Sequence, residues 1–386
     1  PPPRRALRAM NADVVVIGAG VVGASVAFHL AREKLRVVVI DRARGPGEGS
    51  TARATGGFRA QFGTAIDIRL SLLARERLRA FPEETGVDPG LRDVGYLWLA
   101  SSECDLAELR EANVLQRREG VDAHVVEPDA IVRHNPHVSL EGVVGAAWGP
   151  HDAVMRPLEI LRGYLEAAQR MGVAIRWNEA PRAIERGAVV TERARIEAPL
   201  VVNAAGAWAA EVARLAGVEL PIAPLRRQVA ITTPTRALPQ DFPLTIWTRD
   251  GFHLRVRDDR VLLLRPTPGA ADPFATHVDP EWLDAIAKTM RERVPPLRDV
   301  ALDRAHAWAG LYEMSPDHHV LLGPAPGFPS MLCANGSSGH GVMHAPAIGL
   351  LVAELAAHGA ARSLDVHEIR ATRFVENAPI RGPSLL

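Results

Sequence analysis

Lysine is nearly absent from this 386-residue chain. Lys34 and Lys288 are the only two among 45 basic residues, and all the others are arginine. Any role that needs a lysine amine must fall on those two positions. Cysteine is as scarce. Cys104 and Cys333 lie far apart and form neither a metal-ligand spacing nor a disulfide framework, so no metal is expected and a reducing cytoplasm is the expected setting. Net charge is lacking too, with 45 acidic residues against 45 basic ones, so no nucleic acid or other polyanionic partner is implied. No apolar run reaches the roughly 20 residues that a membrane span needs. Arg4-Arg5 is not followed by an apolar stretch, so no signal peptide is expected. Met10 is a candidate start, with the residues before it a disordered extension.

What is present is an ordinary apolar fraction and a length suited to about two domains. Asp13 to Ile17 is a short, wholly apolar run, as a strand buried on both faces requires. A Gly18-Ala19-Gly20-Val21-Val22-Gly23 loop follows, then a helix to about Glu33 in which Ala24, Ser25 and Ala27 permit close packing on a sheet. Arg36 to Ile40 is a second buried strand ending in Asp41, which completes a βαβ unit. Helices are expected over 67–81, 105–119, 157–171, 279–293 and 343–358. The last stops at Gly359, and the fourth opens on Asp279-Pro280 as N-cap and first residue. Strands are expected over 93–100, 173–177, 200–203 and 330–334, and a hairpin over 252–264 turns at Arg257-Asp258-Asp259-Arg260. Together these predict an α/β (α+β) fold in which a Rossmann-like domain is interleaved with an antiparallel-sheet domain.

The glycine loop carries the first functional signal. Gly18 allows the tight turn, Gly20 lets a phosphate approach the backbone, and Gly23 allows the helix to lie close on the strand. The helix N-terminus offers N–H groups and partial positive charge to a pyrophosphate. Asp41 stands where an acid can hold a ribose hydroxyl, with Arg42 beside it. A dinucleotide therefore fits, and the loop alone does not choose between FAD and NAD.

Further segments follow in order: Gly49-Ser50-Thr51-Ala52-Arg53-Ala54-Thr55-Gly56-Gly57-Phe58-Arg59, Val201-Val202-Asn203-Ala204-Ala205-Gly206-Ala207-Trp208, Trp308-Ala309-Gly310-Leu311-Tyr312 and Ser338-Gly339-His340-Gly341. As an ordered set they resemble the D-amino-acid-oxidase superfamily, and most the branch of sarcosine oxidases, glycine oxidase, dimethylglycine dehydrogenase and dye-linked proline dehydrogenases. The resemblance implies FAD. Gly18, Gly20, Val22, Gly23, Asp41 and Arg42 would take its adenosine diphosphate end. Ser50 and Thr51 would take the pyrophosphate and ribityl region. Ala205, Gly206 and Gly310 would pack beside the cofactor. The Gly336–Val342 loop, through Gly336, Gly339, His340, Gly341, Val342 and then Met343, would bring donors to the flavin pyrimidine end, where negative charge accumulates on reduction. The implied FAD-binding domain comprises 1–90, 145–218 and 318–386, and the substrate domain 91–144 and 219–317.

The same resemblance makes Arg59 the carboxylate anchor, since a guanidinium can hold a carboxylate bidentately and aim the substrate C–H at the flavin. Tyr312 would lie over the substrate, and His340 would pin its loop or act on the substrate. Expected departures are informative. Gly310 stands where monomeric sarcosine oxidase has its flavin-linked cysteine, and Arg53 where dimethylglycine dehydrogenase has its flavin-linked histidine, so noncovalent FAD is expected. Met343 occupies the place of a loop lysine, and neither lysine lies in these motifs, which leaves oxidase or dehydrogenase open. The expected reaction is oxidation of the C–N bond of a small amino acid or N-alkyl amino acid by hydride transfer to flavin N5, giving an imine, with oxygen or another acceptor taking the electrons. Two alternatives stay open. One is a 2-hydroxy-acid dehydrogenase with His340 or His253 as base. The other is the flavin subunit of a larger electron-transferring complex, since His151-Asp152-Ala153-Val154 resembles an FMN-carrying segment of heterotetrameric sarcosine oxidase.

Overall fold

A computed structural model describes residues 8–267 and 270–382. Its centre is a six-stranded sheet in the order Ala174–Arg176, Val37–Ile40, Val14–Ile17, Leu200–Asn203, Phe328–Asn335, Leu321–Ala325. All neighbours are parallel except the last pair. Val15 pairs with both Val38 and Val201, and every residue of the Val14–Ile17 and Val37–Ile40 strands is buried. β-branched side chains with no polar face suit a strand covered on both sides.

The helix Val21–Arg32 returns over this sheet and packs against Gly341–His358. The contact is close because Gly349 faces Ser25, and a Cβ at Gly349 would overlap the serine side chain. Gly341–His358 is long and apolar enough to cross a membrane, but residues Met343 to Ala353 are mostly buried against Val21–Arg32 and Ala65–Thr85, as in the core helix of a globular chain. The helix expected over 67–81 runs further, over Ala65–Thr85, and ends where Gly86 takes φ +78° and donates to the Pro82 carbonyl. The loop 45–57 holds one helical turn, Ser50–Arg53.

A second, eight-stranded sheet faces the first across the site. Its order is Trp308–Met314, Ala223–Ile231, Arg260–Leu264, His253–Arg257, Leu244–Trp247, Tyr96–Ala100, Gly145–Gly149, His124–Val126. The predicted hairpin is there, paired Val256 to Val261. The sheet is not wholly antiparallel, because Leu244–Trp247 lies parallel to Tyr96–Ala100. Gly145–Gly149, which the sequence groups with the nucleotide-binding segments, is hydrogen-bonded into this sheet. A three-stranded ribbon of Gly57–Phe58, Ala153–Val154 and Arg92–Asp93 joins the two halves at the level of the site.

Two expectations need correction. The disordered extension before Met10 falls mostly outside the described residues, but Arg8–Asn11 is a strand lying parallel to Ala194–Glu197 in a small four-stranded sheet. Asp279 precedes the helix Pro280–Arg293 as expected, yet its side chain does not cap that helix. The carboxylate is taken instead by Arg226 at 2.6 Å and Gln228 at 3.0 Å. A charge-assisted pair to a buried guanidinium outcompetes a single helix-end N–H.

Candidate active site

The glycine loop closes by steric necessity. Gly18 has φ +107°, and a Cβ there would overlap the Ala204 carbonyl, while a Cβ at Gly23 would overlap the carbonyl of Gly18. Gly20 differs, since the nearest atom to a Cβ there is the Thr51 hydroxyl at 3.5 Å. Gly18 and Gly23 thus shape the turn, and Gly20 keeps the wall thin where a ligand approaches. Asp41 is fixed in the same turn: Ala19 N–H donates to Oδ2 at 2.6 Å and Ala43 N–H to Oδ1 at 2.7 Å. Each carboxylate oxygen keeps a second lone pair for a hydroxyl. The Arg42 guanidinium lies 3.8 Å from the centroid of the Trp208 ring and forms one flank.

The hydroxyls of Ser50 and Thr51 have structural partners. Thr51 Oγ1 accepts the first helical N–H, from Val21, at 3.1 Å, and Ser50 Oγ donates to Leu311 O at 2.7 Å. They tie the Ser50–Arg53 turn to the dinucleotide loop and to the second sheet, and the helix keeps its open first-turn donors at Val22 and Gly23.

From this loop a cavity of about 690 Å³ runs between the sheets. Gly18, Gly20, Val22, Asp41, Arg42, Ser50 and Thr51 line one end, Ala205 and Gly206 the middle, and Gly310, Tyr312, Gly339, Gly341, Val342 and Met343 the other. Gly23 lies beneath the loop. Gly336, with φ +76°, turns the chain into the site and packs against Leu321, Ile222 and Ser315. Gly339 has φ +96° and lies so close to the Tyr312 ring that a Cβ would overlap the ring atoms. Gly310 faces Arg53, where a Cβ would meet Arg53 Cβ at 2.9 Å, so this position has no room for a cysteine side chain. Arg53 is itself on the cavity wall and donates to the Gly49 carbonyl at 3.0 Å.

Arg59 and His340 do not line this cavity and lie just behind its wall, His340 between Gly339 and Gly341, which do line it. Arg59 follows the Gly57–Phe58 strand and is 6% exposed. Its guanidinium lies over Phe62 at 4.0 Å and Trp98 at 4.9 Å, donates from Nη1 to Gln61 O at 2.8 Å, and places Nη2 3.1 Å from His340 Nε2. Burial lowers its pKa to about 10, which leaves it charged at neutral pH. His340 is held well below its ordinary pKa by burial and then by the Arg59 charge. A neutral ring whose Nε2 accepts from Arg59 suits the loop-pinning role, one of the two expected of His340.

His151 heads the segment that resembles an FMN-carrying one. It is half exposed, 3.4 Å from Asp122 and 3.8 Å from Asp93, and does not line the cavity. Its neighbour Asp152 is the residue at the site. Asp152 is buried, accepts from Ala60 N–H at 2.7 Å and from Gln61 Nε2 at 2.9 Å, and burial pushes its pKa up to about 6. It thereby holds the turn whose carbonyl receives Arg59.

Sequence reasoning missed two further groups, Arg227 and Glu313, and named a third, His253, only as an alternative base. Arg227, on Ala223–Ile231, lines the cavity with its guanidinium 5.6 Å from the Tyr312 ring centroid. Glu313 lines the same end and is pushed up to about 7 by burial. His253 lies near both arginines and is lowered to about 4, first by burial. The alternation within Arg226-Arg227-Gln228 was the available signal, because alternate residues of a strand face opposite sides.

A nucleotide loop opening on a cavity that ends beside a buried arginine under a second sheet defines a dinucleotide-dependent oxidoreductase. The chain belongs to the DAO family of FAD-dependent oxidoreductases, whose model matches residues 13–355. It is 31% identical to FAD-dependent oxidoreductase domain-containing protein 1 of Bos taurus, over 94% of this chain and 85% of that protein. It is 26% identical to mitochondrial dimethylglycine dehydrogenase of Mus musculus, over 90% of this chain and 43% of that longer protein. The crystal structure of L-proline dehydrogenase from P. horikoshii matches with TM-score 0.89 and 26% identity, covering 97% of this chain and all 100% of that one. Glycine oxidase from Geobacillus kaustophilus shares the fold, with TM-score 0.84 and 22% identity over 94% and 99% of the two chains. The cofactor is FAD, and the thin-walled Gly20 and the fixed Asp41 carboxylate fit its adenosine diphosphate end.

Proposed function

We propose that this protein oxidises the C–N bond of a small amino acid or N-alkyl amino acid, and that it holds FAD without a covalent link. The observation that carries the reading is Arg59, a buried, charged guanidinium fixed by Gln61 and by His340, whose neighbours Gly339 and Gly341 line the cavity together with Tyr312. Bound FAD supplies the acceptor for two electrons and a hydride from the substrate carbon. The chain supplies orientation. Arg59 takes the substrate carboxylate, Tyr312 closes over it, and Gly339 lets the Tyr312 ring lie flat on the loop.

The electrostatics favour an amine over a 2-hydroxy acid. Two guanidiniums, Arg59 and Arg227, disfavour a bound ammonium and favour the neutral amine whose nitrogen lone pair assists loss of hydride. Oxidation of a hydroxyl needs a competent base, and both histidines at the site, His253 and His340, are held weakly basic. The relatives support the same class, since dimethylglycine and sarcosine dehydrogenases and L-proline dehydrogenase are named for oxidising such amines. Steric contact between Arg53 and position 310 supports noncovalent FAD.

The test is anaerobic bleaching of the flavin absorbance in purified holoenzyme by sarcosine, glycine, proline, other amino acids and 2-hydroxy acids. Bleaching by amines is expected, and reduction by 2-hydroxy acids alone would overturn the reading. Reoxidation by air against an artificial dye then separates oxidase from dehydrogenase.

A further inference from the structure

Several wholly or partly buried arginines in this protein hold a carboxylate. Arg226 pairs with Asp279, Arg373 with Asp317, Arg293 with Asp250 and Arg260 with Asp303. Arg227 has none among the described residues. Its Nη1 reaches two carbonyls, Thr267 O at 3.1 Å and Arg226 O at 3.4 Å, and burial lowers its pKa with only Tyr312 opposing that shift. Taking a guanidinium partly out of water without an anion is costly; Arg255 bears the same cost sealed against the Thr55 and Gly56 carbonyls, whereas Arg227 lines the cavity, where an anion can reach it.

The sheet register shows where that anion sits. Arg227 is paired with Gly310 in the antiparallel ladder, so the two residues face the same side. That side is the cavity, which Gly310 and, two residues on, Tyr312 also line. Arg226 points the other way, to Asp279. At the far side of Tyr312 stands Arg59, reached through Gly339 and His340. The Arg227 guanidinium is 5.6 Å from the Tyr312 ring centroid, and Arg59 is 3.1 Å from His340, which follows the Gly339 that packs on the same ring. The acid nearest this end, Glu313, sits one residue from Tyr312 and lies toward Ser337 and Gly341 instead.

We infer that the substrate is a dicarboxylate amine, with one carboxylate on Arg59, the second on Arg227 and the amine between them. The inference rests on the amine reading above. For an N-carboxymethyl amino acid the reaction balances simply. The carbon beside nitrogen loses hydride to bound FAD, and nitrogen loses its proton to solvent as the C=N bond forms. Water then adds to give a 2-oxo acid and a primary amine.

Two matched pairs test it on the holoenzyme. The first pair is N-(carboxymethyl)glycine against N-methylglycine, read by anaerobic flavin bleaching. The second is the thioether analogues thiodiacetate and (methylthio)acetate, which offer no oxidisable C–N bond and are read by perturbation of the oxidised flavin spectrum. In each pair the members differ only in the second carboxylate. The dicarboxylate is expected to half-saturate at a concentration at least about tenfold lower, the worth of one charged hydrogen-bonded contact. Arg227→Leu should collapse that ratio toward one, and Arg227→Lys should keep part of it. Equal half-saturation within both pairs in the wild type overturns the inference whether or not the variants fold. A ratio unchanged in a flavin-loaded Arg227→Leu protein also overturns it. If neither amine bleaches the flavin while thiodiacetate still binds tenfold tighter, the amine reading fails and the two-carboxylate site stands. If N-methylglycine bleaches the flavin and neither ratio exceeds one, the reverse holds.

Discussion

Arg59 Nη2 lies 3.1 Å from His340 Nε2, and the two side chains share Phe62, whose ring is 4.0 Å below the guanidinium and edge-on to the imidazole at 4.9 Å. A guanidinium has only donors, so Nε2 must accept and the ring proton must sit on Nδ1. The pair fixes the orientation of the Arg59 guanidinium. His340→Leu is therefore expected to raise the half-saturating substrate concentration several-fold while changing the limiting rate of flavin reduction less. Arg59→Lys should cost more, about tenfold or above, because an ammonium cannot serve Gln61 O and a bidentate carboxylate together. Anaerobic stopped-flow reduction measures both quantities.

Asp152 and His151 are adjacent and should behave oppositely. Asp152→Ala leaves the buried Ala60 N–H and Gln61 amide without their acceptor, and a loss of about 2–3 kcal/mol in unfolding free energy is expected. The same variant should weaken substrate binding, because Gln61 O then loses its fixed position under Arg59. His151→Ala should leave flavin content and reduction rate unchanged. A loss of flavin in His151→Ala would restore a flavin role for that residue.

Much of the cofactor half was legible because its constraints are local. Gly18 and Gly23 are glycines for steric reasons within one turn, and the Val14–Ile17 and Val37–Ile40 strands announce burial by lacking polar residues. The substrate half was not legible in the same way. Arg227 matters because of what lies across a ladder from it, at Gly310, more than 80 residues on. Asp152 matters because it reaches Ala60 and Gln61, and nothing in a His-Asp pair tells which member turns inward. Asp279 looked like a helix cap until Arg226 claimed its carboxylate. In an arginine-rich chain the sequence offers many guanidiniums and no sign of which ones lack a partner.

Position 310 offers a direct test of cofactor attachment. Acid or urea should release all FAD from the wild type into the soluble fraction, because neither Gly310 nor Arg53 can form a bond to it. Gly310→Cys is expected to reduce FAD content and not to create a covalent flavin, since its Cβ would meet Arg53 Cβ at 2.9 Å. Flavin retained on denatured Gly310→Cys protein would show that Arg53 moves aside.

Stability should fall steeply in mild acid. Burial lowers the pKa of His29 to about 3 and of His253 and His344 to about 4, and lowers His340 well below its ordinary value. Each stays neutral in the folded protein while its unfolded counterpart takes up a proton as pH drops through 6.5, so each loses stability in that window. Two carboxyls oppose the trend. Asp152, raised to about 6, and Glu313, raised to about 7, bind protons in the folded state over pH values where the unfolded chain has released them. Near pH 5 four histidine protons set against two carboxyl protons leave the unfolded state richer by about two, a slope of roughly 2–3 kcal/mol per pH unit with stability rising as pH rises. At pH 6.5 the four unfolded histidines still hold about two protons between them, more than Asp152 and Glu313 hold in the folded state, so stability goes on rising more gently and levels off above pH 7. Urea unfolding at pH 5.0, 5.5, 6.0 and 7.0 measures the curve. His29 packs against Phe28 and Tyr164, away from the cavity, so His29→Leu should reduce the acid slope by about one proton without touching flavin reduction. A wild-type slope near zero at pH 5, or one unchanged in that variant, would show that these imidazoles are protonated in the folded state.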